Sequence, residues 1–132
     1  MKITVHPNVL VRAVVCDDEK QARTAAKLLK EAELIAVPLP CPCEFVWVLR
    51  RVYSFGRQDI CAALEALLNA SNVVANRTAA DAGLAILNEG RDVAEGLIAY
   101  EGNWLGGETF VSFDKKAVSL TVKQGQQAKL LT

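Results

Sequence analysis

This chain is poor in the residues that most active sites are built from. It has one histidine, His6, in 132 residues. A Cys/His zinc site therefore has little to work with, and a Ser-His-Asp triad would have to rest on His6. No G-x-S-x-G nucleophile elbow accompanies it. Phosphate-binding loops are missing, since neither G-x-G-x-x-G nor G-K-[ST] occurs. The four cysteines include Cys41-Pro42-Cys43, a C-x-C without the C-x-x-C spacing of zinc and redox sites. They read as ordinary reduced thiols, mostly buried, because free cysteine packs as a small hydrophobe.

Charge of one sign is missing too. Fifteen basic residues balance fifteen acidic ones, so a nucleic-acid partner must be met by a local patch. No apolar run is longer than Phe45–Leu49, far short of a membrane span. Met1–Pro7 lacks the apolar stretch of a secretory leader. These features predict a cytoplasmic protein with no membrane segment. No repeat, low-complexity segment or linker interrupts the chain, and its length predicts a single domain over residues 1–132.

What is present is an alternation of strand and helix signals. Lys2–Val5 predicts a first strand, and Pro7 holds His6 extended. Asn8–Arg12 leaves that strand as a helix or tight turn. Asp18 with Gln21 predicts a capping box for a helix through Ala22, Ala25, Leu28 and Leu29. Leu34–Val37 predicts a buried strand stopped by Pro38 and Pro40. Pro42 then fits the first turn of a helix carrying Phe45, Val48, Leu49 and Val52. Gly56 breaks it, and Ile60, Ala63, Leu64, Leu67 and Leu68 mark the apolar face of another.

Asn72–Val74 suggests a short strand. Asn76 predicts the N-cap of a helix closed by Gly90, and Asp92 opens the next one, with Ile98 and Tyr100 in it. Thr109–Phe113 predicts a buried strand ending at Asp114, where a further helix begins. Lys129–Leu131 suggests a last edge strand. Strands alternating with helices predict an α/β fold, with a mostly parallel sheet and helices on both faces.

Acidic residues recur at the junctions. Glu44, Asp92, Glu95 and Asp114 each fall at a strand-to-helix junction or in a first helical turn. Any one of them is explained by capping or by the helix dipole. Gathered at one sheet edge they would repel, unless a cation fills the cluster. All-oxygen ligands select Mg²⁺ or Mn²⁺, which assists displacement at phosphorus. A rival reading begins at Val14-Val15-Cys16-Asp17-Asp18-Glu19, a strand and acidic pair that resembles receiver domains. It needs an acceptor aspartate on a later strand, and none lies between Glu19 and Asp59.

Three segments, Asn8-Val9-Leu10-Val11-Arg12, Val37–Leu49 and Thr109–Asp114, together resemble the PIN domain, most closely VapC-type toxins of bacterial toxin–antitoxin pairs. The likeness covers essentially the whole chain. It implies a three-layer α/β/α sandwich on a central parallel sheet. It also implies a Mg²⁺- or Mn²⁺-dependent endoribonuclease, dimeric and held by a cognate antitoxin. By this resemblance Glu44, Asp92 and Asp114 hold metal and Glu95 assists catalysis. Ser112 and Asn8 support the site, and Arg12 and Lys115 meet the RNA backbone.

The chain departs from the family at its first motif. His6-Pro7-Asn8 stands where the family has Asp-Thr-Asn. Position 6 loses a negative charge, and a softer metal would be better tolerated there. Three outcomes follow from the replacement. His6 serves as a ligand for a softer metal; the chain is a weakened or inactive PIN-fold module that still binds antitoxin; or the change is an escape from toxicity, engineered or selected in cloning.

Overall fold

The computed structural model describes residues 1–132. Strand β1 (Lys2–Thr4) leads into α1 (Pro7–Val15) and α2 (Glu19–Glu31). Then come β2 (Leu34–Val37), α3 (Pro40–Arg51), α4 (Arg57–Asn69) and β3 (Val73–Ala75). The chain continues through α5 (Arg77–Asn88), α6 (Val93–Trp104), β4 (Phe110–Ser112), α7 (Lys115–Lys123) and β5 (Ala128–Leu130). The fold is α/β, and every strand pairing in it is parallel.

Local chemistry places most helix starts. Asp18 caps α2 by accepting from the Gln21 N–H at 3.0 Å, and Asn76 caps α5 through the Ala79 N–H at 3.1 Å. Asp92 accepts from the Ala94 N–H at 3.2 Å at the head of α6. Helix α3 begins at Pro40, so Pro42 lies in its first turn as expected, and a proline at the first helical position gives up an N–H that has no partner there anyway.

Three expectations change. Val14 and Val15 belong to the last turn of α1, not to a strand, and Cys16 closes that helix in the left-handed region at φ 59°. Two adjacent valines look extended locally, but burial of Leu10 and Val11 carries the helix through them. This removes the strand that the receiver reading required. Secondly, the strands divide into a three-stranded sheet ordered β1-β2-β3 and a separate pair β4-β5. Thirdly, the Thr109–Phe113 segment is not buried: Val111 of β4 is 53% exposed, and Phe113, just past the strand, is 74% exposed.

The core lies around the larger sheet. Phe45, Val46 and Leu49 of α3 pack with Ile35 of β2, Ile60 and Leu64 of α4, Leu87 of α5 and Val93 of α6. Helices α5 and α6 meet through glycine. A Cβ at Gly96 would lie 2.5 Å from the Ala82 carbonyl oxygen, and one at Gly83 would lie 2.6 Å from Val93 Cγ2. That approach sets where the head of α6, with Asp92 and Glu95, sits against its neighbours. None of the helices is long and apolar enough to cross a membrane. All four cysteines are free, with Cys41 and Cys61 buried, Cys43 half-buried and Cys16 exposed.

Candidate functional site

Parallel pairing sends the C-terminal ends of β1, β2 and β3 to one edge. There the chain turns at His6, Pro38 and Asn76 into α1, α3 and α5. His6 is exposed and caps α1, its Nδ1 accepting the Asn8 N–H at 3.1 Å. Asn8 is thus tied to His6 through its backbone. The first turn of α3 is anchored beside them, because the Cys41 thiol donates to the Val5 carbonyl at 3.7 Å. Burial, with Glu44 and Cys43 nearby, pushes the Cys41 thiol up to about 11, so it stays protonated and able to donate.

From α3 the line continues to α6. Burial and then the charge of Asp92 raise the Cys43 thiol above its ordinary value. Glu44, expected at a strand-to-helix junction or in a first helical turn, is the fifth residue of α3, past its first turn, and is exposed. Helix α6 next reaches the β4–α7 junction through Arg91. Its Nη2 donates to Glu95 Oε1 at 2.7 Å and also to Asp114 Oδ2, while its Nε donates to Glu95 Oε2 at 3.2 Å. Asp114 caps α7 by accepting from the Lys116 and Ala117 N–H groups at 3.0 and 3.1 Å. Ser112 Oγ accepts the Asp114 N–H at 2.9 Å, so Ser112 orients the residue expected to depend on it.

The structure therefore joins Glu95 to Asp114 through one guanidinium. It does not assemble any three His, Cys, Asp or Glu side chains into a group able to hold a metal ion. The carboxylate oxygens are of the right type for a hard divalent cation. Their arrangement is short of a third ligand, and the cation shared by Glu95 and Asp114 is Arg91.

Asp114 is held below the ordinary aspartate range, first by the Ala117 N–H and then by Arg91. The two carboxylates in turn raise Arg91 still further above its usual value. Because the folded Asp114 value lies below the unfolded one, its contacts stabilise the fold above the ordinary aspartate pKa. That contribution is lost as pH falls through the lowered value. An NMR titration is expected to place the Asp114 midpoint below that of an unstructured aspartate and to move it upward in Arg91→Gln. An unmoved midpoint would contradict the pairing.

Of the two residues expected to meet RNA, Lys115 is exposed at the first turn of α7. Arg12 is engaged elsewhere. Its Nη1 lies 3.0 Å from Asp17 Oδ1 and 3.4 Å from the Tyr53 hydroxyl, which itself donates to Asp17 at 3.0 Å. That triad lowers the Asp17 pKa, chiefly through the Tyr53 hydroxyl and then through Arg12. Tyr53 is thereby a packing residue, whereas Trp47 is 52% and Trp104 75% exposed.

Sequence reading missed two features. Arg91 passed unnoticed because its partner Asp114 lies 23 positions away; only its i,i+4 spacing to Glu95 was legible. The second is an open cleft of about 690 Å³ lined by Arg50, Gly56, Arg57, Gln58, Asp59 and Gly90, the last adjoining Arg91. It holds two arginines and one aspartate and reaches the residue before Arg91. Arg57 had no signal beyond its place after Gly56.

This arrangement defines a class in general terms: an α/β protein with single carboxylates at several helix starts, two of them joined by an arginine. No family of known proteins matches the sequence, and no curated protein matches it.

Proposed function

We propose that this chain is a ribonuclease of the PIN-domain type, related to VapC toxins, acting on RNA phosphodiesters at the carboxylate line. The observation that carries the reading is that carboxylates at separate helix starts are tied together: Arg91 joins Glu95 of α6 to Asp114 at the head of α7, while the Cys41 thiol ties α3 to the Val5 carbonyl next to His6. Glu44 and Asp92 from one side, and Asp114 with Glu95 from the other, are the residues that would hold Mg²⁺ or Mn²⁺. Bound there, such an ion would acidify water and neutralise charge developing at phosphorus.

The chain's own residues account for substrate placement. Arg50 and Arg57 in the cleft that reaches Gly90, with exposed Lys115, offer cationic contacts to a phosphate backbone. Ser112 fixes the backbone of Asp114. The three-layer sandwich belongs to this proposal as well: β1 and β4 each pair on one side only, and joining their free edges would make one five-stranded sheet. A homodimer and a bound antitoxin complete the reading. The exposed apolar Trp104, Leu105 and Phe113 suit a protein contact.

A second reading is favoured by a specific observation. His6 stands at the first acidic position, and no three-ligand group is assembled. On this view the chain is a catalytically inactive module that keeps antitoxin binding.

Metal-dependent cleavage of RNA by this chain and by His6→Asp separates the two. Aspartate caps a helix at least as well as histidine, so the substitution should leave α1 intact. The nuclease reading expects His6→Asp to cut with Mg²⁺, at least about a hundredfold faster than the parent by the usual worth of one electrostatic contact to the transition state. EDTA should stop it. Silence from both proteins with Mg²⁺ and with Mn²⁺, alongside retained antitoxin binding, would establish the inactive module.

A further inference from the structure

The β4–α7–β5 segment stands apart from the rest of the molecule. The buried core runs from Val5 to Leu97, and no buried or half-buried apolar side chain after Tyr100 packs on it. Within residues 109–132 only Ala117, Leu120 and Thr121 are buried. The strand pair β4–β5 shares no edge with β1–β3. No backbone hydrogen bond ties residues 109–132 to residues 1–104. Two side-chain links do so: Asp114 accepts from Arg91, and Lys123 Nζ donates to Glu89 Oε1 at 2.7 Å. Asp114 and Lys123 are both exposed, so neither link is worth much. Clefts of about 160 and 260 Å³ open along the seam, the first lined by Ile86 and Thr121 and the second by Ile98 and Val111. The connection from α6 turns at Gly106, whose φ of 103° suits glycine alone.

We propose that residues 109–132 form an order–disorder device: β4, α7 and β5 leave α5 and α6 and unfold together while the core around β1–β3 stays native. The physical reason is an imbalance between what is ordered and what is buried. Holding two strands and a helix in place costs backbone entropy at every residue. Three buried side chains and two exposed ion pairs return little against it. One strand pair with one helix is too small to persist once undocked, so leaving α6 and unfolding are a single event. That event takes Asp114 away from Arg91 and Glu95. Activity at these carboxylates then exists only while the segment is ordered, a consequence that rests on the nuclease reading, whereas the opening itself does not.

Hydrogen exchange of the native full chain, followed by NMR at urea concentrations below the unfolding transition, tests this with neither RNA nor metal present. Amides of α7 are expected to exchange at least about tenfold faster than those of α3 and α4, through one opening shared with β4 and β5. The urea slope of that opening should be measurable yet smaller than that of global unfolding, since only part of the buried surface is exposed. Ile60→Val supplies a second reading. Ile60 is fully buried in α4, and losing one methyl group should speed exchange in α3 and α4 about two- to tenfold. Exchange in α7 should not change, because the core persists in the partly open state and is weakened there equally. An α7 that follows α3 and α4 in rate, slope and response to Ile60→Val overturns the proposal. So do α7 amides that open singly, with no urea slope. Because no substrate is needed, failure here leaves the nuclease reading standing, and loss of the nuclease reading leaves the opening standing.

Discussion

Asp114→Asn is expected to abolish RNA cleavage while leaving the fold in place. The comparison is made in whichever protein cuts, the parent or His6→Asp. Asparagine keeps an Oδ1 to accept from the Lys116 and Ala117 N–H groups, and it is as good an N-cap as aspartate. Helix α7 should therefore start where it does now. What is lost is charge. The Asp114 side chain is 46% exposed, so its ion pair with Arg91 is screened by solvent, and the change in stability should be slight. Catalysis is more sensitive, because a single electrostatic contact to a transition state is worth roughly a hundredfold to a thousandfold in rate. A quenched RNA substrate followed with Mg²⁺ measures this directly. Cleavage within a few-fold of the unsubstituted protein would remove Asp114 from the site.

Gly96→Ala should give the largest stability change for one added methyl group. Two effects oppose each other. Within a helix, alanine is favoured over glycine by about 0.5–1 kcal/mol. Against that, the new Cβ would stand 2.5 Å from the Ala82 carbonyl oxygen and 2.8 Å from Gly83 Cα. Both are backbone atoms of α5 and cannot rotate away, so α5 and α6 must separate. Overpacking of this kind costs typically about 1–3 kcal/mol, and backbone clashes fall at the upper end. The expected result is a net loss of about 2 kcal/mol or more, read as a lower urea midpoint with an unchanged slope. Gly102 supplies the control. It lies in the same helix with nothing within 4 Å of an added Cβ, so Gly102→Ala should be neutral or stabilising. A stabilised Gly96→Ala would mean that the two helices do not meet as described. Because Asp92 caps α6 and Glu95 lies in its first turn, Gly96→Ala should also weaken any activity that depends on them.

The difference between Gly96 and Gly102 shows where sequence reasoning stops. Both are helical glycines, and nothing in the residues around them tells which one touches another backbone. Arg91 makes the same point. Its spacing to Glu95 is visible along the chain, but its contact with Asp114 exists only because α6 and α7 come together. Arg12 likewise pairs with Asp17, five positions on, and with Tyr53, a partner 41 positions away that no local signal announces.

Sequence by itself determined the elements and their order. Asp18, Asn76, Asp92 and Asp114 announce helix starts because capping is satisfied within three residues. Leu34–Val37 appears as a strand between its flanking signals, and the apolar faces of α3 and α4 follow from a period of 3.6. Tertiary structure alone decided how strands share edges, which carboxylates converge, and which cation they hold. Those outcomes depend on pairings between distant segments. Caps and periodicities are local and repeat their signal along the chain, whereas strand pairing and ion pairing across helices are fixed only when the whole chain closes on its core.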